Sequence, residues 1–207
     1  MSIFLKNPLA ISGLIIILVI LILALLAPFI VPYDPNFIDI NSILLPPSLA
    51  HLMGTDGLGR DVFSRMLYGA QISLLVGFVA VGIATIIGVI LGSLAGFYRG
   101  WVDSLIMRFV DIMLSIPTFF LILAVIAFLT PSIWNIMIVI GLTSWMGVTR
   151  LVRAEFFSLR QREFVLAAET MGSSHFSIIV KHLLPNSLTP IIVSSVLGIA
   201  SAVLVES

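Results

Sequence analysis

The chain has 207 residues, 60% of them hydrophobic and only 10% charged, with ten Lys/Arg against ten Asp/Glu. Soluble domains carry about 25% charged residues, and one core could not hide this much apolar surface, which excludes a water-soluble globular protein. Balanced charge gives no nucleic-acid signature, and the absence of cysteine removes disulfides, thiolate catalysis and cysteine metal sites together.

A helix that crosses the bilayer needs about 20 mostly apolar residues. The first such run, 9–32, contains no charge. It is too long for the apolar region of a signal peptide, has only Lys6 before it, and is followed by no small-x-small cleavage site. Residues 33–71 form a loop rich in turn formers (Pro35, Pro46, Pro47, Gly54, Gly57 and Gly59). Little regular structure is expected there before a short helix near 62–68. The second span covers 72–97. Within it Gly88, Gly92 and Gly96 recur every four residues, which makes a flat face for close helix packing; lining a solute path is the alternative role.

The third span covers 112–129, and Pro117 inside it is predicted to kink it. Arg108 and Asp111, three residues apart, are expected to pair at its edge. Only Thr130, Pro131 and Ser132 separate it from the fourth span at 133–148, so a tight turn lies at one membrane face. Charged residues then alternate with Leu151, Phe156, Phe157, Leu159, Phe164 and Leu166 at helical spacing over 149–186. Gly172 is expected to end one helix, Ser173 or Ser174 to cap the next, and Pro185 to close it. This helix–turn–helix is too long for a simple connector, which marks it as a docking element. The fifth span is 188–205.

Lys and Arg concentrate in cytoplasmic loops. Lys6, Arg99, Arg108, Arg150, Arg153, Arg160, Arg162 and Lys181 fall on one side, against only Arg60 and Arg65 on the other. The N-terminus and 149–186 are therefore expected inside, and 33–71 outside. All six Trp and Tyr (Tyr33, Tyr68, Tyr98, Trp101, Trp134 and Trp145) fall near span ends, where amphipathic rings favour the headgroups.

Residues 54–61 superficially match a phosphate-binding loop, but Arg60 stands in place of its Lys and Asp61 in place of the magnesium-ligating hydroxyl. Turn formation and helix capping by Asp56 or Asp61 explain that stretch. His51, His175 and His182 have no metal-ligand spacing, so no metal site is expected.

Two motifs carry a family resemblance. The stretch Ala167-Ala168-Glu169-Thr170-Met171-Gly172, nine residues, then His182-Leu183-Leu184-Pro185 resembles the cytoplasmic loop signature of ABC-importer permeases (Glu-Ala-Ala, three residues, Gly, nine residues, Ile-x-Leu-Pro). Leu166 replaces the Glu and His182 the Ile; the dipeptide/oligopeptide/nickel branch commonly lacks that Glu. The stretch from His51 through Gly54, Asp56, Gly59, Arg60 and Asp61 to Arg65 is similar to the second permease of the pair in that branch.

The resemblance covers essentially the whole chain and implies an all-α polytopic bundle with an ATPase-coupling loop at Ala167, Ala168, Glu169, Gly172, Leu184 and Pro185. It implies external binding-protein contact at Gly54, Asp56, Gly59, Arg60 and Asp61. Partners would be a second permease subunit, two cytoplasmic ATPase subunits carrying ATP and magnesium, an external solute-binding protein and membrane lipid, in the cytoplasmic membrane of a prokaryote. Such subunits have six spans; with five visible, the sequence is expected to stop within or just after the fifth. The expected organisation is 1–32 (N-terminus and first span), 33–71 (external loop) and 72–207 (permease core). Whether Ala167, Ala168 and Gly172 dock onto a partner or pack the hairpin onto its own bundle, spacing alone leaves open.

The rival function, an ion-coupled secondary transporter or channel, calls for buried charge or inverted repeats with broken helices. The span cores carry no charge. No constellation of nucleophile and base points to an enzyme.

Overall fold

The computed structural model describes residues 7–130 and 132–206; Lys6 and Pro131, used above for orientation and for the tight turn, lie outside them. The helices are α1 (Pro8–Ile30), α2 (Val62–Tyr98), α3 (Gly100–Ser115), α4 (Thr118–Phe128), α5 (Ile133–Leu159), α6 (Glu163–Thr170), α7 (His175–Ile178) and α8 (Leu184–Glu206), with a π-helical turn at Ile179–Leu183. Among the described residues there is no strand, only an isolated bridge between Thr55 and Asp61. Four continuous helical stretches are long and apolar enough to cross a membrane, and α3 with α4 make a fifth if the bent pair counts as one. The chain divides into two compact units, 1–75 and 76–207.

In the first unit, α1 starts at Asn7, whose side chain accepts the Leu9 N–H at 3.1 Å, with Pro8 in the first turn where no donor is missed. The helix is apolar all round, and most of its large side chains are exposed, as suits a helix solvated by lipid. The expected short helix at 62–68 is not separate. It is the first two turns of α2, because nothing between Tyr68 and Ile72 breaks the pattern and Gly69 sits in open space.

In the second unit, α2 and α5 pack closely along glycines. A Cβ on Gly88 would lie 2.5 Å from Val148 Cβ, one on Gly92 2.7 Å from the Thr149 carbonyl, and one on Gly96 2.6 Å from Phe156 Cβ. Gly141 returns the contact from α5, 2.9 Å from the Ala80 carbonyl. The opposing backbones can come this near only where side chains are missing.

Several sequence expectations need correction. The third span is not one kinked helix: α3 and α4 meet at 81° across Ile116 and Pro117. Proline has no N–H and its ring opposes a continuing helix, so the chain breaks here instead of bending. The fourth span does not stop at 148. It runs on as α5 to Leu159, since residues 149–159 keep a helical period while turning polar. Trp145 therefore lies mid-helix, 4% exposed and stacked on Phe109 of α3 with ring centroids 5.7 Å apart, and is not a headgroup anchor. Asp111 pairs with Arg150 of α5 at 2.5 Å and not with Arg108, because α3 lies alongside α5. Beside it, Arg153 holds both carboxylate oxygens of Asp103 in a two-point bridge. Finally, Pro185 closes nothing. The π-helical turn widens the helix just ahead of it, Leu184 N–H bonding back to the Ile179 carbonyl, and α8 proceeds. A π turn relieves the clash that a proline ring makes with the preceding turn.

Candidate functional site

The 149–186 segment is built on the polar ends of α2 and α5. Phe97, Val152, Phe156, Val165, Ile178 and Leu183 are each at most 1% exposed, and with Ala168 and Ile191 they form one core. Arg160 seals its edge: its guanidinium stacks over the Phe97 ring at 4.7 Å, donates to the Phe97 carbonyl, and faces Glu169 at 3.6 Å. The chain then needs a sharp reversal. Gly172 supplies it at φ +77°, with Gly172 N–H bonding Glu169 O and Ser173 N–H bonding Ala168 O, both at 3.0 Å. These two bonds are the Schellman ending that left-handed glycine permits. Ser174 caps the next helix through the Ser177 N–H at 3.3 Å.

The residues expected to form a coupling loop thus divide. Ala168 faces inward and is 7% exposed, while its neighbour Ala167 faces out. Glu169 is engaged by Arg160, Leu184 packs against the core, and Pro185 is exposed. The outer surface has members that sequence patterning missed: Met171 is 86% and Phe176 75% exposed, with Leu166 and Phe164 beside them in sequence also exposed. Large apolar side chains flanking a glycine turn, in a segment otherwise charged, were the available signal.

The 33–71 lobe has a different construction. Asp39 caps a 3-10 turn at Ile40–Ser42, accepting from Asn41 N–H at 3.0 Å and the Ser42 hydroxyl at 2.6 Å. Asp56 accepts from Leu58 N–H, Arg60 N–H and Arg60 Nε at 2.8–3.0 Å. Asp61 caps α2, taking the Ser64 N–H (2.8 Å) and hydroxyl (2.6 Å) on one oxygen. Its other oxygen lies 3.0 Å from His51 Nδ1, and the His51 ring stacks on Tyr33. Gly54 and Gly59 both have φ +73°; a Cβ on Gly54 would be 2.5 Å from the Leu45 carbonyl, and one on Gly59 would overlap Asp39 O. The five residues expected to contact a binding protein, Gly54, Asp56, Gly59, Arg60 and Asp61, instead hold the lobe together from within. Its surface is made by others, including Leu44 and Leu49, which are 72% and 99% exposed.

Burial pushes the Asp61 carboxyl up, but hydrogen bonds from Ser64 and His51 outweigh it and leave the group below the ordinary aspartate value of 3.8. Asp56 is likewise held down, its partial burial outweighed by Leu58 and Arg60; for Asp39 the Ser42 hydroxyl is the main cause. Among the described residues no group of His, Cys, Asp or Glu could hold a metal ion.

Residues 88–206 match the family described as binding-protein-dependent transport system inner membrane component. The chain belongs to this family. Residues 1–47 match a second profile, the N-terminal TM domain of oligopeptide transport permease C. The permease is 45% identical over 201 residues to a probable D,D-dipeptide transport system permease protein from Escherichia coli (strain K12), covering 97% of this chain and 67% of the relative. Dipeptide transport system permease proteins from Alkalihalophilus pseudofirmus and Bacillus subtilis are 45% and 39% identical, covering 96% and 98% of the chain and 66% and 63% of their own lengths. The permease thus spans about two thirds of the length of the curated relatives it matches. It is a multi-pass membrane transport subunit of an all-α class, made to work within a transporter complex, and not an enzyme.

Proposed function

We propose that this permease is one wall of an ATP-driven importer for short peptides in the cytoplasmic membrane. Its partners are a second permease, two cytoplasmic ATPases that hold ATP and magnesium, and an external solute-binding protein. Peptides are favoured over nickel because the similar relatives are named for dipeptide transport. In this reading the N-terminus and the 149–186 segment are cytoplasmic, and 33–71 is external.

One observation carries the coupling role. The α6–Gly172 segment is locked on its inner face to α2, α5 and α8 through one core, yet presents Ala167, Met171 and Phe176 outward. Exposed apolar side chains on a rigid base suit a partner's groove, and closure of the ATPases would move the attached helices as a body. Ala168, Glu169, Gly172, Leu184 and Pro185 shape the segment in this account, while Ala167, Met171 and Phe176 touch the partner. On the other side, Gly54, Asp56, Gly59, Arg60 and Asp61 set the shape of the lobe, and Leu44, Leu49 and their neighbours meet the binding protein.

The chain's lack of cysteine makes the test direct. A single cysteine at Ala167 or Met171, in the intact complex, should crosslink to a co-resident ATPase in an ATP-sensitive way, and one at buried Ala168 should react far less. Labelling at Ala167 from the cytoplasm with no ATPase partner would favour the ion-coupled transporter instead.

A further inference from the structure

A half-open recess of about 240 Å³ lies among α2, α4, α5 and α8. It is lined by hydroxyls from three of these helices, namely Thr118 of α4, Ser144 of α5, and Ser194, Ser195 and Ser201 of α8, and by no charged residue. Small residues make the room: Ala84, Gly147, Gly198 and Ala202. Thr118, Ser144 and Ser195 lie similarly far from a helix end, and Ser201 six residues nearer to it. Thr118 lies ten residues from the Phe128 end of α4, Ser144 eleven from the Ile133 end of α5, and Ser195 eleven from the Glu206 end of α8. At 1.5 Å per residue those distances are about 15–17 Å, half of a hydrocarbon core of about 30 Å.

Three of the five lining hydroxyls already spend their hydrogen within their own helix. Ser144 donates its hydrogen to Ile140 O (2.7 Å), Ser195 to Ile191 O (2.9 Å) and Ser201 to Leu197 O (3.3 Å), each on its own helix. A hydroxyl has one donor and two acceptor positions, so these oxygens offer acceptors to the recess. Thr85 adds a rung from α2, its hydroxyl 2.9 Å from that of Ser195. Hydrocarbon tails have nothing to donate to such a surface, and no carboxylate is present to bind a full cation.

We propose that the recess is a mid-bilayer subsite for a neutral N–H donor of the transported solute, an amide group. The subsite rests on the importer reading and gives it chemistry. It holds a peptide by its backbone and is indifferent to the charge of the side chains. Binding is weak by construction, because every contact is a neutral hydrogen bond of modest net value, and a solute in transit must leave again.

Gly147 gives clean access for a test, since a Cβ there meets nothing within 4 Å. In the intact complex, with Gly147→Cys as the single cysteine, a small charged methanethiosulfonate should modify the thiol. Dialanine, supplied with the binding protein and ATP, should slow that reaction by about tenfold, the scale on which filling a small pocket discriminates. Gly147→Leu should lower dialanine uptake by at least about tenfold while assembly and ATP hydrolysis persist. An unreactive thiol would mean a closed packing seam, and reaction indifferent to dialanine would mean a plain water-filled cleft; either overturns the subsite. Unchanged uptake by Gly147→Leu overturns it as well. ATP-dependent uptake by the unsubstituted complex reports separately on the importer reading, so the two can fail independently.

Discussion

The 33–71 lobe and the 149–186 segment are both excursions from the spans, but different forces hold them. The lobe has no cluster of large buried side chains. Its shape comes from three aspartates that bind backbone N–H groups and hydroxyls, and from two glycines at positive φ pressed against carbonyls. The segment has few such bonds and a dense apolar core instead. Hydrogen-bonded turns fix local geometry with little cooperative reserve, whereas a packed core transmits displacement as a rigid body. Under the proposed roles, a lobe that presents a surface and a segment that carries motion differ in this way.

The largest effect should come from breaking the core. Phe156→Ala removes a fully buried ring and should cost about 3–5 kcal/mol, seen as rapid trypsin cleavage after Arg160 and Arg162 while the lobe stays protected. Next comes a matched pair. Gly59→Ala and Gly172→Ala both force a side chain into left-handed backbone, worth about 1–2 kcal/mol each. Only at Gly59 does the new Cβ also strike a carbonyl, Asp39 O, while at Gly172 it meets open space. Hydrogen exchange should show the lobe loosened well beyond the segment; equal loosening would break the comparison.

Acid should then separate the two regions. The folded values of Asp39, Asp56 and Asp61 lie below the ordinary 3.8, so their stabilisation is fully present above that value and disappears as pH falls through the folded ones. Protection of the Leu58, Arg60 and Ser64 amides, measured against their intrinsic exchange rates, should fall below about pH 4, with no matching change at Ser173. The smallest effect on stability should be that of Met171→Ser, within about 0.5 kcal/mol for so exposed a residue. It should nonetheless uncouple ATP hydrolysis from uptake in the assembled complex.

How much of this was legible depended on how local the cause was. The spans were readable because long uncharged runs have one solvent that suits them. Gly172 and Ser174 were readable because a left-handed turn and a helix cap each need particular residues at one position. What depended on a neighbouring helix was not readable. Arg150 takes Asp111 from Arg108 only because α3 lies beside α5, and Trp145 is buried only because Phe109 and Ala84 close over it. Pro185 misled for a related reason: it ends a helix by default, and the wide turn that lets the helix continue leaves no mark in composition. The hydroxyls of the recess were invisible in the same way, scattered over 118–201 until packing brought them around one recess.

That wide turn also acts as a clutch plate between sequence and orientation. An α-helix advances about 100° per residue, so accommodating one surplus residue at Ile179–Leu183 sets the rotational phase of everything downstream. Ser194, Ser195 and Ser201 look into the recess, and Val196 and Leu197 away from it, because of a count settled ten residues earlier. Removing a single residue from the turn would let it close as ordinary α-helix with α8 unrotated, whereas forcing all its present residues into ordinary α-helix would swing every side chain of α8 by about 100° and carry the hydroxyls out of the recess.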